Sequence, residues 1–219
     1  MASTADATRA ALLSAAERLF AERGIDGVSL REITRASGAR NAIAVQYHFD
    51  DRAGVVQAIL DKHAADVEAR RHAMLDQWEA EGSRDVRTLT AALVRPLAAK
   101  LSDPNGGPEY LQIQADLANR PQPALGADKD DAGATADSTY RWRMLVEPLI
   151  DEEATRLHRR FTAILHCFVE LGRRARSGPH TDDRLFTSYL VDVVTAILAA
   201  PVSDETHRLA AERDRARRS

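Results

Sequence analysis

Residues Ser29 to Arg52 constrain this chain more than any other stretch. They read Ser-Leu-Arg-Glu-Ile-Thr-Arg-Ala-Ser-Gly-Ala-Arg-Asn-Ala-Ile-Ala-Val-Gln-Tyr-His-Phe-Asp-Asp-Arg. Ser29 can accept a hydrogen bond from the Glu32 N–H, and Glu32 can reach back to the Ser29 N–H. That reciprocal Ser-x-x-Glu pattern is a capping box and opens a helix. Leu30, Ile33 and Ala36 follow at helical spacing. Gly38 falls where the chain must turn, because glycine takes positive φ without a Cβ clash. Arg40 and Asn41 open a second helix, with Asn41 suited to the N-cap. The layout is that of a helix-turn-helix, in which one helix braces another for entry into the DNA major groove. The same residues also suit a pair of solvated helices in a bundle.

The second helix has the chemistry for a groove. Ala42 and Ala44 are small and permit close approach, with Val45 beside them. Arg40, Asn41 and Gln46 can offer paired hydrogen bonds to base edges, and Tyr47 and His48 can reach phosphates. Ser29, Arg31 and Arg52 complete the candidate DNA-contacting set. Any one of these arginines also serves as a surface partner for a nearby acid.

Upstream, Thr8 to Arg23 forms an amphipathic helix with Leu12, Ala16, Leu19 and Phe20 on one face. Gly24 ends it, and Ile25 and Val28 lead into the capping box. Downstream, Asp50-Asp51-Arg52 starts a long helix. The block resembles the N-terminal domain of the tetracycline-repressor (TetR) family. The matching pattern is Ala15-Ala16-x-x-Leu19-Phe20-Ala21-Glu22-x-Gly24, then Ser29-x-x-x-Ile33, Gly38 and Tyr47-His48-Phe49-x-x-Arg52. The family usually has one residue fewer between the turn glycine and Tyr-His-Phe. That leaves carried-over base contacts open by one position. The usual lysine after Phe-x-x is Arg52 here, which keeps the charge and adds bidentate capacity.

The resemblance implies an all-α protein with three N-terminal helices carrying the helix-turn-helix and a C-terminal helical body. It implies a homodimer on a double-stranded DNA operator, responsive to a small-molecule ligand of unknown identity. The division expected is 1–52 for DNA binding, 53–202 for ligand binding and dimerisation, and 203–219 as a charged tail.

Composition agrees with a water-soluble regulator. Of 219 residues, 44% are hydrophobic, enough for a core, and the net charge of −3 argues against an indiscriminate polybasic binder. Cys167 is the single cysteine, which excludes an intramolecular disulfide and fits a reducing compartment. The N-terminus lacks a basic segment followed by an apolar run, and no stretch approaches ~18 apolar residues. A cytoplasmic protein with no membrane association is expected.

Beyond Arg52 the pattern stays helical. Residues 52–81 carry a stripe of Val56, Ile59, Leu60, His63, Val67, Met74, Leu75 and Trp78, and Gly82-Ser83 breaks it. Residues 84–102 place Val86, Leu89, Leu93, Leu97 and Leu101 inside, with a kink expected at Pro96. Asp103 to Pro108 is a turn and Glu109 to Asn119 a short helix. Residues 120–137 read as a long mobile loop. Ser138 is suited to cap a helix to Val146, which Pro148 interrupts.

Residues 151–176 read as one helix with a broad apolar face that includes Leu157, Phe161, Leu165 and Phe168. Residues 182–199 pair apolar residues at four-residue spacing, including Phe186, Tyr189, Val193 and Ile197. One explanation is a central helix buried in its own domain. The other is a four-helix bundle with a second subunit, and the resemblance favours this dimer. The tail from Ser203 reads as a frayed helix whose arginines touch DNA or nothing.

No phosphate-binding glycine loop and no histidine–carboxylate metal spacing occurs, so no enzyme activity, cofactor or metal is expected. Cys167 reads as packing. His158 and His166 lie two turns apart on the expected 151–176 helix. By the resemblance, a ligand pocket falls in the helical body, with Trp78, Tyr110, Gln114, Trp142, Met144 and His166 as candidates. Each of these side chains suits a core equally well.

Overall fold

The computed structural model describes residues 4–39, 43–120 and 137–217. Among them the fold is all-α, with no strand. The helices are α1 (Thr4–Arg23), α2 (Leu30–Ala36), α3 (Ala44–Phe49), α4 (Arg52–Ala80), α5 (Val86–Ala98), α6 (Gly107–Ala118), α7 (Ser138–Val146), α8 (Glu152–Arg156), α9 (Arg159–Arg176), α10 (Arg184–Ala199) and α11 (Asp204–Ala216). Short 3-10 turns at Ala99–Ser102 and Glu147–Leu149 follow α5 and α7. No single described helix is long and apolar enough to cross a membrane. The expected loop at 120–137 lies almost wholly outside the described residues.

The chain falls into two compact units. The first takes Met1–Arg70, Pro96–Ala127 and Phe168–Thr181; the second takes Arg71–Arg95, Asp128–Cys167 and Asp182–Ser219. Residues 1–52 lie wholly in the first unit and 203–217 in the second. Helices α4, α5 and α9 supply residues to both.

In the first unit, α1 packs on α2 and α6. Leu12, Ala16, Phe20, Ile33, Val45, Val55, Ile59, Leu97, Leu111 and Leu171 form its core. A polar cluster is buried with them. Glu17 accepts from Lys62 Nζ at 2.8 and 2.9 Å and stands 3.2 Å from His63 Nε2. His63 stacks on Tyr110 with ring centroids 4.5 Å apart. Lys100, also buried, pairs with Asp66 at 2.9 Å and Asp103 at 3.0 Å. These pairs satisfy charges that would otherwise be costly to bury.

In the second unit, Trp142, Leu75, Leu89, Leu93, Val94, Val146, Cys167, Val194 and Leu198 are buried. Both indole N–H groups are used: Trp78 donates to the Asp85 carbonyl at 3.2 Å and Trp142 to the Leu89 carbonyl at 2.8 Å. Arg71 is buried on α4, outside the stripe read from sequence. Its Nη1 donates to Ser138 Oγ at 2.9 Å and Thr139 Oγ1 at 2.8 Å, and its Nε to the Ala92 carbonyl at 3.3 Å. Ala92 is the residue four before Pro96, whose missing N–H leaves that carbonyl without its helical donor. The arginine supplies a donor instead. The α-helix continues past Pro96 to Ala98 before tightening into the 3-10 turn. Burial raises the Cys167 thiol pKa to about 12, in keeping with a packing role.

Four local expectations change. Asp137, not Ser138, caps α7, accepting from the N–H groups of Thr139 and Tyr140, because Ser138 is drawn inward to Arg71. The helix expected over 151–176 is two helices. Asp151 caps α8, and the chain breaks at His158, whose φ is +58°. His158 and His166 therefore do not share a helix. The tail is not frayed: Ser203 caps α11, Ala210 is buried, and Asp214 pairs with Arg156. That ion pair holds the Arg156 guanidinium above its ordinary pKa.

Candidate nucleic-acid interface

The capping box at α2 forms as the sequence implies. The Glu32 N–H donates to Ser29 Oγ at 3.3 Å, and the Ser29 N–H donates to Glu32 Oε2 at 2.9 Å. Arg23, at the end of α1, donates to Glu32 Oε1 at 2.9 Å. The Ser29 N–H, its hydroxyl and the Arg23 guanidinium together lower the Glu32 pKa to about 2. Ser29 and Glu32 thus tie the start of α2 to the end of α1. Arg31 and Arg35 stand exposed on α2.

Gly38 turns the chain at φ +73°, in the left-handed region where a side chain is strained. Small side chains line a shallow pocket beside that turn, from Thr4, Ala7, Thr8 and Ala11 of α1 and from Ser37 to Ala39. Arg40, Asn41 and Ala42 lie outside the described residues. Helix α3 begins at Ala44, with Ile43 at its N-cap position.

Helix α3 divides into two faces. Ala44, Val45 and Phe49 are buried against the unit core. This corrects the placement of Ala44 and Val45 in the contact set, since neither side chain faces outward. Gln46 and Tyr47 face solvent, Tyr47 at 80% exposure, and His48 is half-buried. The His48 ring sits edge-on to Tyr47 with centroids 5.0 Å apart. Beneath them, the Arg9 guanidinium lies 5.0 Å from the centre of the Phe49 ring, a cation–π contact. Arg9 is a support that sequence periodicity does not single out. Ile43, also unselected by sequence, is 59% exposed.

The junction from α3 to α4 is tight. Asp50 takes φ +62°, its N–H donating to the Gln46 carbonyl at 3.0 Å. Asp51 Oδ1 accepts the Gly54 N–H at 2.8 Å. A Cβ on Gly54 would fall well inside contact distance of the Phe49 carbonyl oxygen. The missing side chain lets α4 begin directly against the end of α3. Arg52 donates through Nη2 to the Val28 carbonyl at 2.9 Å and pairs with Asp26 at 3.6 Å. The side chain expected to reach a phosphate is thus engaged with the loop that precedes α2.

The remaining sequence candidates are dispersed. Tyr110 and half-buried Gln114 belong to the first unit; Trp78, Trp142, Met144 and His166 belong to the second. Trp78, Trp142 and Tyr110 are core side chains, and Met144 is exposed. Of the dimer candidates, Phe168 is buried in the first unit. Leu157, Phe161 and Tyr189 are exposed in the second, and Leu165, Phe186, Val193 and Ile197 are half-buried there.

Residues 12–59 match the family described as "Bacterial regulatory proteins, tetR family". Over 57 residues the chain is 40% identical to the HTH-type transcriptional regulator TtgR of Pseudomonas putida. It is also 40% identical over 57 residues to the probable HTH-type transcriptional regulator ArpR of Pseudomonas putida. The matched stretch spans 26% of this chain and 27% of each relative. Over these residues the chain carries the N-terminal domain of the tetR family of bacterial regulatory proteins.

Proposed function

We propose that this protein is a sequence-specific DNA-binding transcriptional regulator, acting as a homodimeric repressor that a small-molecule ligand releases from a near-palindromic operator. The observation that carries the reading is the two-faced α3. Ala44, Val45 and Phe49 hold the helix in the core, while Gln46 and Tyr47 project from it into solvent, as do Arg31 and Arg35 on α2. A helix braced in this way presents side chains as a rigid unit, as direct base readout requires. Gln46 reads a base edge, with Arg40 and Asn41 before it; Tyr47, His48 and Arg31 hold phosphates. Arg52 and Ser29 act indirectly, by fixing the segment that precedes α2.

The homodimer is supported by the apolar side chains left outward on α9 and α10, among them Phe161, Leu185 and Tyr189. Two-fold symmetry of the protein calls for two-fold symmetry in its half-sites. Ligand control is what the resemblance to the family implies. A ligand that favours the free protein must weaken operator affinity by the same factor. The protein works in the cytoplasm, where the DNA is.

The test is selection of binding sites from a random duplex pool with the full chain, followed by anisotropy titration of the winner. Enrichment of one near-palindromic sequence is expected. Gln46→Ala should then relax preference at one base pair per half-site and cost about 1–3 kcal/mol there. A pool that stays random after several rounds would remove the reading.

A further inference from the structure

The outward face of α3 holds an apolar group that the polar account of base reading leaves unused. Ile43 is 59% exposed at the N-cap of α3. It lies one helical turn before Tyr47, whose N–H donates to the Ile43 carbonyl at 3.0 Å. Residues at i, i+3 and i+4 share a helix face, so Ile43, Gln46 and Tyr47 point the same way. The neighbouring apolar residues of α3 all turn inward: Ala44, Val45 and Phe49 are each 6% exposed or less. Ile43 is thus an outward apolar group on a helix whose other apolar side chains are spent on the core.

A single exposed isoleucine needs no explanation on an ordinary surface. Here its position supplies one. It opens the segment proposed to enter the major groove, and the N-terminal part of such a helix meets the base edges. The groove offers one apolar group among its base edges, the C5-methyl of thymine, and apolar side chains pack against it. The Ile43 side chain has neither donor nor acceptor, so it cannot substitute for Gln46. We infer that Ile43 is a specificity residue that recognises thymine through its methyl group, next to the base pair that Gln46 reads.

This inference rests on the DNA-binding reading above, and the test separates the two. With the selected operator in hand, each thymine is replaced singly by deoxyuridine, which removes the methyl and leaves every hydrogen bond in place. Wild-type protein should lose about fourfold in affinity at one thymine per half-site, the fold-change for burying one such carbon. Ile43→Ala should bind the unmodified operator more weakly and be insensitive to deoxyuridine at that thymine. The two losses should therefore fail to add. Because Ile43 is exposed, its variant should keep the wild-type melting temperature, which excludes misfolding as the cause. If Ile43→Ala and wild type respond alike to every deoxyuridine, or if no thymine responds, the inference is overturned while DNA binding stands. Failure to select any operator overturns both.

Discussion

Glu17 Oε1 stands 3.2 Å from His63 Nε2, and both side chains are sealed from solvent. Glu17 lies on α1, which packs on the helix-turn-helix, and His63 on α4. The second carboxylate oxygen of Glu17 lies 2.8 Å from Lys62 Nζ. One buried acid thus clamps two consecutive α4 side chains. Replacing it with alanine would leave a largely buried ammonium without this partner. Such losses cost about 3–5 kcal/mol. We expect Glu17→Ala to lower the stability read from urea denaturation by that order. A change below about 1 kcal/mol, the scale of an exposed ion pair, would show that water reaches Lys62 and that the clamp carries little.

The α2 cap makes a prediction in pH. The Glu32 pKa is lowered to about 2 from an ordinary 4.5, with the Ser29 N–H the largest cause, then the Ser29 hydroxyl, then Arg23. A depressed acid stabilises the fold when ionised. Its contribution is therefore fully present above 4.5, shrinks as the pH falls, and is gone below about 2. Ser29→Ala removes the hydroxyl and should move the Glu32 titration, followed by carboxyl NMR, toward 4.5. A titration identical to wild type would assign the shift to the backbone N–H and Arg23 alone.

Gly54→Ala tests the α3–α4 junction. The new methyl meets backbone, the Phe49 carbonyl oxygen, rather than a flexible side chain. Overpacking of this kind costs about 1–3 kcal/mol. The strain falls on the last turn of α3, so operator affinity should drop further than the melting temperature alone explains. Calorimetry and anisotropy on the same sample would compare the two. Wild-type affinity in a destabilised variant would uncouple the junction from DNA binding.

The dimer is tested on residues that the folded chain does not need inside. Leu185 is 83% exposed and Tyr189 64%. Leu185→Asp with Tyr189→Asp should keep the helical circular dichroism and, in the dimeric reading, halve the mass seen by light scattering at micromolar concentration. Buried without a partner, the two added charges would be expensive across an apolar interface. Wild-type protein that already scatters as a monomer would contradict the homodimer.

Features that depend on near neighbours are legible in the sequence. The Ser29–Glu32 capping box, the Gly38 turn and the amphipathic helices were legible because each rests on contacts three or four residues apart. So was Cys167 as packing. Competing caps exceeded that reach. Asp137 and Ser138 both suit an N-cap, and the choice was made by Arg71, which draws Ser138 inward from another helix. The break at His158 was likewise hidden, because apolar spacing continues through it. How the interior polar side chains pair is a matter of tertiary structure. Arg71 bridges Ser138 and the carbonyl that Pro96 leaves without its helical donor, and Glu17 meets Lys62 and His63 across the chain. Tertiary structure also decided that Ala44 and Val45 face the core while Ile43 and Tyr47 face out. A short helix has too few residues for its apolar pattern to specify a face, so the surfaces packed against it make that choice.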